Sequence, residues 1–273
     1  MIRKLAVALF ICLAFQNCNN SSESNNTDNT EPAAPSLWID AHVVNSLPHD
    51  KSFFTEGFFM HNGLIYEGTG SPDDLPDTRS LIVTYDLKKS KPAVKAELDR
   101  KQFFGEGIVL VDNKIYQLTY KNQTGFIYNA ATFKQLGSFT YTNKEGWGLT
   151  TDGASIIMSD GSDKLTWLDT TSLKPVKTLP VTENGVPLTY INELEWIKGY
   201  IYANVWTTNF IVKIDPATGK VVGKLDMNSL FTIEKNRNAQ AAEMNGIAYD
   251  AANDKVYVTG KLWAGIYELS FPR

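Results

Sequence analysis

The amino-acid sequence predicts an all-β fold, a five-bladed β-propeller, and two kinds of pattern support this prediction. From Leu37 onward, short alternating or apolar runs are broken by Gly, Asn, Asp and Pro, and no convincing stretch has the spacing of an amphipathic helix. One sequence unit also recurs five times. Its copies start 41 to 53 residues apart, which is the length of a four-stranded propeller blade.

Each copy of the repeat combines a polar residue and Gly, an apolar run, a turn, and a second apolar run that usually contains Tyr. The copies start at Glu56, Glu106, Trp147, Asn192 and Asn245. Five copies predict five blades. We expect an early strand, Leu37 to Asn45, to complete the C-terminal blade and close the ring, so that no long strand edge stays exposed. A sandwich built by internal duplication is the alternative, which the fivefold regularity disfavours.

The N-terminal segment predicts export. Residues 1–18 begin with basic side chains, and the apolar run Leu5 to Phe15 is too short to span a bilayer, as is typical of a signal peptide. Cys18 follows at the distance expected of a lipoprotein cleavage site, where a thioether lipid would anchor the protein. The alternative is an ordinary signal that is cut nearby and leaves an incidental cysteine.

The next segment predicts a flexible connection to the folded domain. Residues 19–35 consist of Asn, Ser, Thr, Glu, Asp, Ala and Pro, which cannot bury enough apolar surface to fold, so they read as a disordered tether. Residues 36–273 are the predicted propeller domain. We therefore expect an exported cell-envelope lipoprotein, periplasmic or anchored at the outer membrane, that contacts the membrane only through its lipid and is a monomer.

Composition and missing motifs exclude several function classes. The formal net charge of -4 gives no reason to expect nucleic acid as a partner. Cys12 and Cys18 both precede the predicted domain, so the domain has no disulfide or thiolate site. Only three histidines are present, and zinc-protease, nucleophile-elbow, phosphate-loop and dinucleotide motifs are missing. No cofactor is expected.

The innermost strands of a propeller line its axial channel, so side chains near their starts can converge at one mouth. The expected set mixes carboxylates, one amide and one ammonium with aromatic rings: Phe54, Glu56, Phe104, Glu106, Trp147, Asn192, Glu193, Trp206, Lys261 and Trp263. This mixture suits an apolar pocket with a few placed polar groups. Alternatively, the aromatic residues only pack between blades and the polar-Gly pairs only form turns.

Seven ordered blocks carry a family resemblance. They are Pro48-His49-Asp50 before Phe54-Thr55-Glu56-Gly57, Phe103-Phe104-Gly105-Glu106-Gly107, Gly146-Trp147-Gly148-Leu149, Ile191-Asn192-Glu193-Leu194-Glu195, Ala203-Asn204-Val205-Trp206, Met244-Asn245-Gly246-Ile247-Ala248 and Val258-Thr259-Gly260-Lys261-Leu262-Trp263. The chain thereby resembles the glutaminyl-peptide cyclotransferases of the plant and bacterial propeller type. The resemblance implies conversion of N-terminal glutamine, on peptides or proteins or as the free amino acid, to pyroglutamate with release of ammonia and without a metal.

The resemblance also implies residue roles. Glu106 takes the place of the family's essential Glu, which we interpret as a proton shuttle from the α-amine to the departing ammonia. Asn192 and Lys261 take the place of the pair that stabilises the oxyanion. For Lys261, an ion pair with Glu193 or Glu195 is the structural alternative. The expected aromatic pocket walls are Phe104, Trp147 and Trp206.

The sequence departs from the family at two substrate-binding positions. Glu56 stands where relatives carry Gln, which places a second carboxylate near Glu106 and raises the proton affinity of both; Glu56 could instead anchor the substrate ammonium. Tyr120 stands where the plant-type enzyme has Trp and adds a hydroxyl group to that wall. Phe54 completes the expected substrate-binding residues. We expect His49 to shape the turn before the first inner strand rather than to exchange protons.

Two other functions stay open from sequence. One is a non-catalytic propeller that binds peptides or envelope proteins through the same channel mouth. The other is a metal-dependent propeller lactonase with oxygen ligands from Glu56, Glu106, Asn192 and Asn245. The joint presence of Glu106, Asn192 and Lys261 favours the cyclotransferase.

Overall fold

The computed structural model describes residues 36–88 and 91–273, and its regular structure is almost entirely β-strand. The first half contains β1 (His42–Pro48), β2 (Phe54–His61), β3 (Leu64–Gly70), β4 (Leu81–Tyr85), β5 (Ala93–Glu97), β6 (Gly105–Val111), β7 (Lys114–Thr119), β8 (Thr124–Asn129), β9 (Gln135–Thr140), β10 (Leu149–Thr151), β11 (Ser155–Met158), β12 (Lys164–Asp169) and β13 (Pro175–Pro180). The second half contains β14 (Thr182–Glu183), β15 (Val186–Pro187), β16 (Ile191–Ile197), β17 (Tyr200–Val205), β18 (Phe210–Ile214), β19 (Val221–Asp226), α1 (Asn228–Arg237), β20 (Met244–Asp250), β21 (Lys255–Gly260) and β22 (Gly265–Ser270).

The described strands form five antiparallel four-stranded sheets, which are the five blades of a propeller. Four blades use consecutive strands, in the orders β2-β3-β4-β5, β6-β7-β8-β9, β10-β11-β12-β13 and β16-β17-β18-β19; the fifth has the order β20-β21-β22-β1. The pair β14-β15 forms a small separate hairpin. The predicted five-bladed fold is confirmed, and each blade begins with its inner strand at the position of a sequence repeat.

Ring closure uses an N-terminal strand, but the predicted bounds were wrong. The closing strand is β1, which pairs with β22 from His42 opposite Ser270 to Pro48 opposite Gly265. Residues 37–39 instead run beside the outer strand of the fourth blade, where the Ile39 N–H donates to the Lys224 carbonyl. The apolar pattern of 37–45 therefore spans two different contacts. Pro48 is tolerated because β1 is an edge strand.

The helix α1 was not predicted, because the face it buries is not an apolar stripe. Its buried side chains are Leu230 and Glu234. The Glu234 carboxylate accepts hydrogen bonds from the Tyr267 hydroxyl, from the Ala264 N–H and from Arg237. A helix held by a buried carboxylate lacks the periodicity that sequence analysis uses. In the part of the chain that the structure describes, no helix is long and apolar enough to cross a membrane.

Five apolar clusters form the core, and each fills the space between two neighbouring blades. The cluster between the last blade and the first contains Phe58, Ile65 and Leu81 from one side and Ala248, Tyr257 and Ile266 from the other. Burial of these faces is the main favourable term for the ring, and a closed ring leaves no blade face unpaired.

The repeated glycines lie where the inner strands of neighbouring blades meet near the axis. A Cβ atom on Gly107 would lie 2.5 Å from the Trp147 carbonyl oxygen, and one on Gly148 would lie 2.2 Å from that of Asn192. The Gly107 N–H donates to the same Trp147 carbonyl at 2.7 Å. These positions therefore require glycine for close backbone approach, and they are more than turn residues.

In the fourth blade, Glu193 occupies the position that glycine holds in the other repeats. Its carboxylate accepts the Phe58 N–H at 3.1 Å and the Ile247 N–H at 2.9 Å, so it reaches across the axis to the first and fifth blades. Burial raises the pKa of Glu193 well above its usual range, and the nearby Glu195 raises it further. Glu193 therefore fills the channel, and its predicted place at the channel mouth is wrong.

The predicted signal peptide of residues 1–18, the lipidation of Cys18 and the tether of residues 19–35 lie outside the described residues and stay predictions.

Replacing a glycine at the axis should destabilise the ring. We expect Gly148→Ala to lower the free energy of unfolding by about 1–3 kcal/mol, because its methyl group must displace the Asn192 backbone. The matched control is Gly137→Ala in β9, where a Cβ atom meets nothing within 4 Å, and its change should stay within about 0.5 kcal/mol. Urea denaturation measures both variants. Equal stabilities would contradict the requirement for close approach.

Candidate active site

One cavity of about 260 Å³ collects all nine residues that were predicted to bind or transform substrate. It opens at the end of the propeller where the inner strands begin. The predicted residues that line it are Phe54, Glu56, Phe104, Glu106, Tyr120, Trp147, Asn192, Trp206 and Lys261. Side chains from all five blades or their connections meet there, so the cavity is built by ring closure and not by any single blade.

Glu106 is the second residue of β6 and is 5% exposed. Hydrogen bonds fix the backbone on both sides of it, since the Gly105 N–H donates to Ser80 Oγ at 2.9 Å and the Gly107 N–H donates to Trp147. Burial raises the pKa of the Glu106 carboxyl well above its usual range, and the charge of Glu56 adds to this effect against the attraction of Lys261. A carboxyl group with a raised pKa can both accept and return a proton near neutral pH.

Glu56 forms an ion pair with Lys261, with 2.8 Å between Oε1 and Nζ. The other oxygen of Glu56 accepts the side-chain amide N–H of Asn245 at 2.9 Å. Burial outweighs the attraction of Lys261 and raises the pKa of Glu56 to about 7. The structural alternative for Lys261, a partner in Glu193 or Glu195, is wrong, because Glu56 takes that place.

Lys261 directly follows β21 in a sharply bent loop. Its N–H donates to the Glu243 carbonyl at 3.0 Å, and the next residue, Leu262, has a positive φ of 59° and donates to the Phe53 carbonyl. Burial lowers the pKa of Lys261, but the charges of Glu56 and Glu106 outweigh it and the net shift is upward. The ammonium group is therefore protonated and can donate hydrogen bonds into the cavity.

Asn192 begins the inner strand of the fourth blade, where its carbonyl oxygen accepts the Ser159 hydroxyl at 2.7 Å. The side chain is 4% exposed, and its Oδ1 has no hydrogen-bond partner among the described residues. An unpartnered buried amide oxygen is uncommon in native structures. The carboxamide is thus available to a ligand.

Two pairs of aromatic rings form the cavity walls. The Trp147 and Trp206 rings meet edge to face at 5.6 Å, and the Phe54 and Phe104 rings do so at 6.1 Å. Tyr120 packs on Phe104 at 5.8 Å. These aromatic residues pack on one another and also line the cavity. The expectation that they form pocket walls and the alternative that they contribute to packing therefore both apply.

The sequence analysis placed one further residue wrongly and missed two. Trp263 is fully buried, donates its indole N–H to the Ala242 carbonyl at 2.9 Å and does not line the cavity. Pro72 and Glu243 do line it. The repeat register contains a signal for Glu243, which precedes Asn245 by two positions as Phe54 precedes Glu56. Pro72 lies in a connection outside the repeat and has no such signal.

A buried pair beneath the cavity holds the Lys261 loop in place. His49 Nε2 lies 3.0 Å from the Glu67 carboxylate, and Nδ1 lies 2.8 Å from the Trp263 carbonyl. Burial lowers the pKa of His49, but the charge of Glu67 and the hydrogen bonds to Glu67 and the Trp263 carbonyl outweigh it, so the net shift is upward. Glu67 also accepts the hydroxyl of Thr55, the neighbour of Glu56. His49 therefore ties the loop to the first inner strand, in agreement with its expected structural role.

Replacing Lys261 should make the burial of the charged Glu56 carboxylate more unfavourable. In Lys261→Met the carboxylate loses its counter-ion, so the pKa of Glu56 should rise above about 7. A carboxyl group whose pKa is higher in the folded than in the unfolded state stabilises less as pH rises between the two values. Relative to Lys261→Met/Glu56→Gln, the single variant should lose about 1.4 kcal/mol of unfolding free energy for each pH unit from about pH 5 up to the raised pKa of Glu56. Denaturation curves that stay parallel across this range would refute the pairing.

Comparisons with known proteins agree with this geometry. Residues 9–271 match the family model described as glutamine cyclotransferase. Over 229 residues the chain is 32% identical to a glutaminyl-peptide cyclotransferase of Arabidopsis thaliana, which covers 83% of this chain and 70% of the plant protein.

A solved structure shows the same architecture. The crystal structure of Myxococcus xanthus glutaminyl cyclase superposes with a TM-score of 0.78 at 30% sequence identity, covering 87% of this chain and 98% of the bacterial one. The family that the seven sequence blocks predicted is confirmed: the chain belongs to the glutamine cyclotransferase family of enzymes.

Proposed function

We propose that this protein cyclises N-terminal glutamine to pyroglutamate, with Glu106 as the proton shuttle and without a metal ion. The observation that carries the proposal is the content of one cavity. A buried carboxyl group of raised pKa shares it with a protonated lysine and with a carboxamide whose oxygen has no partner among the described residues. Family membership supports the overall reaction, and these three groups match its separate chemical needs.

The reaction requires one group that accepts a proton from the α-amine and then donates it to the departing nitrogen. The α-amine attacks the side-chain amide carbon, a C–N bond forms, and the carbonyl oxygen becomes an oxyanion. Glu106 takes a proton from the attacking amine and returns it to the side-chain nitrogen. The bond to that nitrogen then breaks and ammonia leaves. The substrate supplies its own nucleophile, so holding it in a folded-back conformation is a major part of catalysis.

The Lys261 ammonium and the side-chain NH2 group of Asn192 supply the donors for the oxyanion, since the oxygen of a carboxamide only accepts hydrogen bonds. The pair with Glu56 fixes the ammonium at 2.8 Å, and the aromatic ring of Phe54 lies 4.6 Å from Nζ. A preorganised charge in a site of low water content stabilises developing negative charge strongly. We assign Glu56 to orienting Lys261, because both of its oxygens already accept hydrogen bonds within the site.

Several contacts support a reaction without a metal. The Lys261 ammonium balances Glu56 directly, and Asn245 donates to the second oxygen. Across residues 36–88 and 91–273, no group of three or more His, Cys, Asp or Glu side chains is placed to hold a metal ion.

We propose peptides or proteins with N-terminal glutamine as substrates of a monomeric, exported enzyme that the lipid of Cys18 anchors in the envelope.

Glu106→Gln should remove the shuttle while keeping the size of the side chain. We expect ammonia release from a Gln-initiated dipeptide to fall at least about 100-fold, with chelator present throughout. The control is Glu97→Gln on the surface, which should retain the wild-type rate. An undiminished rate in Glu106→Gln would sink the shuttle assignment. Wild-type activity that needs added divalent cation would favour the metal-dependent alternative, and a folded wild type without activity on any Gln peptide would favour the binding propeller.

Glu56→Gln should keep activity and shift its pH dependence. The negative charge of Glu56 raises the pKa of Glu106, so its removal should lower that pKa and keep the base form available at lower pH. The acidic limb of the pH profile of kcat/KM should therefore move to lower pH. Loss of turnover at every pH would instead give Glu56 an essential role.

A further inference from the structure

A second cavity adjoins the candidate active site and is not used by the reaction itself. It is a groove of about 440 Å³ between the connections that follow β3, β5 and β7. Pro72, Phe104 and Tyr120 line both the groove and the active-site cavity. The two spaces therefore meet at a wall of three side chains, so a chain that leaves the cavity past Tyr120 enters the groove.

The floor of the groove is rigid. Arg100 donates to the Pro72 and Pro76 carbonyls, each at 2.7 Å, and to Thr78 at 3.1 Å, so its guanidinium is used to fix the neighbouring loop. The Asn122 side-chain amide donates to the Gln102 carbonyl at 3.1 Å and joins the other two connections. A groove that is held open before a ligand arrives loses little entropy on binding.

The charged side chains that line the groove are those of Arg100, Lys101, Lys121 and the exposed Asp73, so the lining carries a net positive charge. Lys101 and Lys121 are exposed, and neither ammonium lies within 4 Å of a carboxylate oxygen in the described part of the chain. Lys121 lies over the Tyr120 ring at 4.4 Å, beside the shared wall. The only carboxylate that lines the groove is that of Asp73. The excess of positive charge is local, because the chain as a whole carries a formal charge of -4.

We propose that this groove binds the residues that follow the N-terminal glutamine and that it favours acidic side chains there. The inference rests on the proposed function, since it assigns the active-site cavity to the glutamine itself. A cavity of about 260 Å³ is small for a ligand site, so the rest of a peptide must lie outside it. Lys101 and Lys121 then face the first side chains of that remainder. The preferred substrate class is a peptide or protein that begins with glutamine followed by Asp or Glu.

The test compares Gln-Glu-Glu, Gln-Ala-Ala and Gln-Lys-Lys amides with the purified protein. We expect kcat/KM to fall in that order, with about a tenfold difference between the first and last at low salt. The difference should shrink in 0.5 M salt, at about which ionic strength exposed charges are strongly screened. In Lys101→Glu/Lys121→Glu the order should reverse. The control is Lys134→Glu/Lys174→Glu, which changes the net charge equally on exposed residues outside the groove and should keep the wild-type order.

A second readout separates this inference from the proposed reaction. Quenching of tryptophan fluorescence in Glu106→Gln, through Trp147 and Trp206 in the adjoining cavity, measures peptide affinity without appreciable turnover. Cyclisation of all three peptides at equal efficiency, with equal affinities, would overturn the groove and leave the reaction intact. A charge preference in affinity without ammonia release would support the groove and overturn the reaction. A preference that survives in Lys101→Glu/Lys121→Glu would also overturn the proposal.

Discussion

The close approach of five inner strands around one axis is the constraint on which this structure depends. Glycine in three repeats, at Gly57, Gly107 and Gly148, lets neighbouring backbones come together, and the Glu193 side chain crosses to accept the Phe58 and Ile247 N–H groups. A buried carboxylate is unfavourable unless its oxygens accept hydrogen bonds. The two oxygens of Glu193 accept backbone N–H groups of two other blades. The Glu193 side chain therefore occupies the channel and also joins the fourth blade to the first and the fifth.

The axis also determines where chemistry can occur. Glu193 is buried at the axis, and the candidate active-site cavity lies at the end of the propeller where the inner strands begin. Residues placed just before or at the repeated glycines converge there, which brings Glu56, Glu106 and Asn192 to one mouth. Their burial in a small space shifts both carboxyl pKa values upward, and the charges of Glu56 and Glu106 outweigh the effect of burial on Lys261 and raise its pKa. The electrostatics of the site thus follow from the geometry of ring closure.

The support around the site is built in layers. The Glu56 side chain fixes the ammonium of Lys261, and the buried pair of His49 and Glu67 fixes the loop from which Lys261 projects. On the other side, Arg100 uses its guanidinium to hold the connection that borders the groove. The charged groups with a structural purpose therefore have partners within the protein, and the side chains of Glu56, Glu67, His49 and Lys261 are buried, whereas Lys101 and Lys121 stay at the surface where a ligand can reach them. The bonded groups hold the active-site residues in place for the proposed reaction, and the exposed lysines can contact acidic side chains of a peptide substrate.

The sequence by itself determined the blade number, because a repeat fixes where each inner strand starts, and the resemblance of its seven blocks gave the family and nine of the eleven residues that line the cavity. It did not reveal α1, whose buried face depends on Glu234, nor the bounds of β1, since residues 37–39 pair with a different blade. Only the tertiary structure paired Lys261 with Glu56, placed Glu193 at the axis and joined a basic groove to the cavity. Such contacts join residues as far apart as Thr55 and Asn245, 190 positions along the chain. Local periodicity specifies strands and turns, but ring closure decides which of their side chains meet.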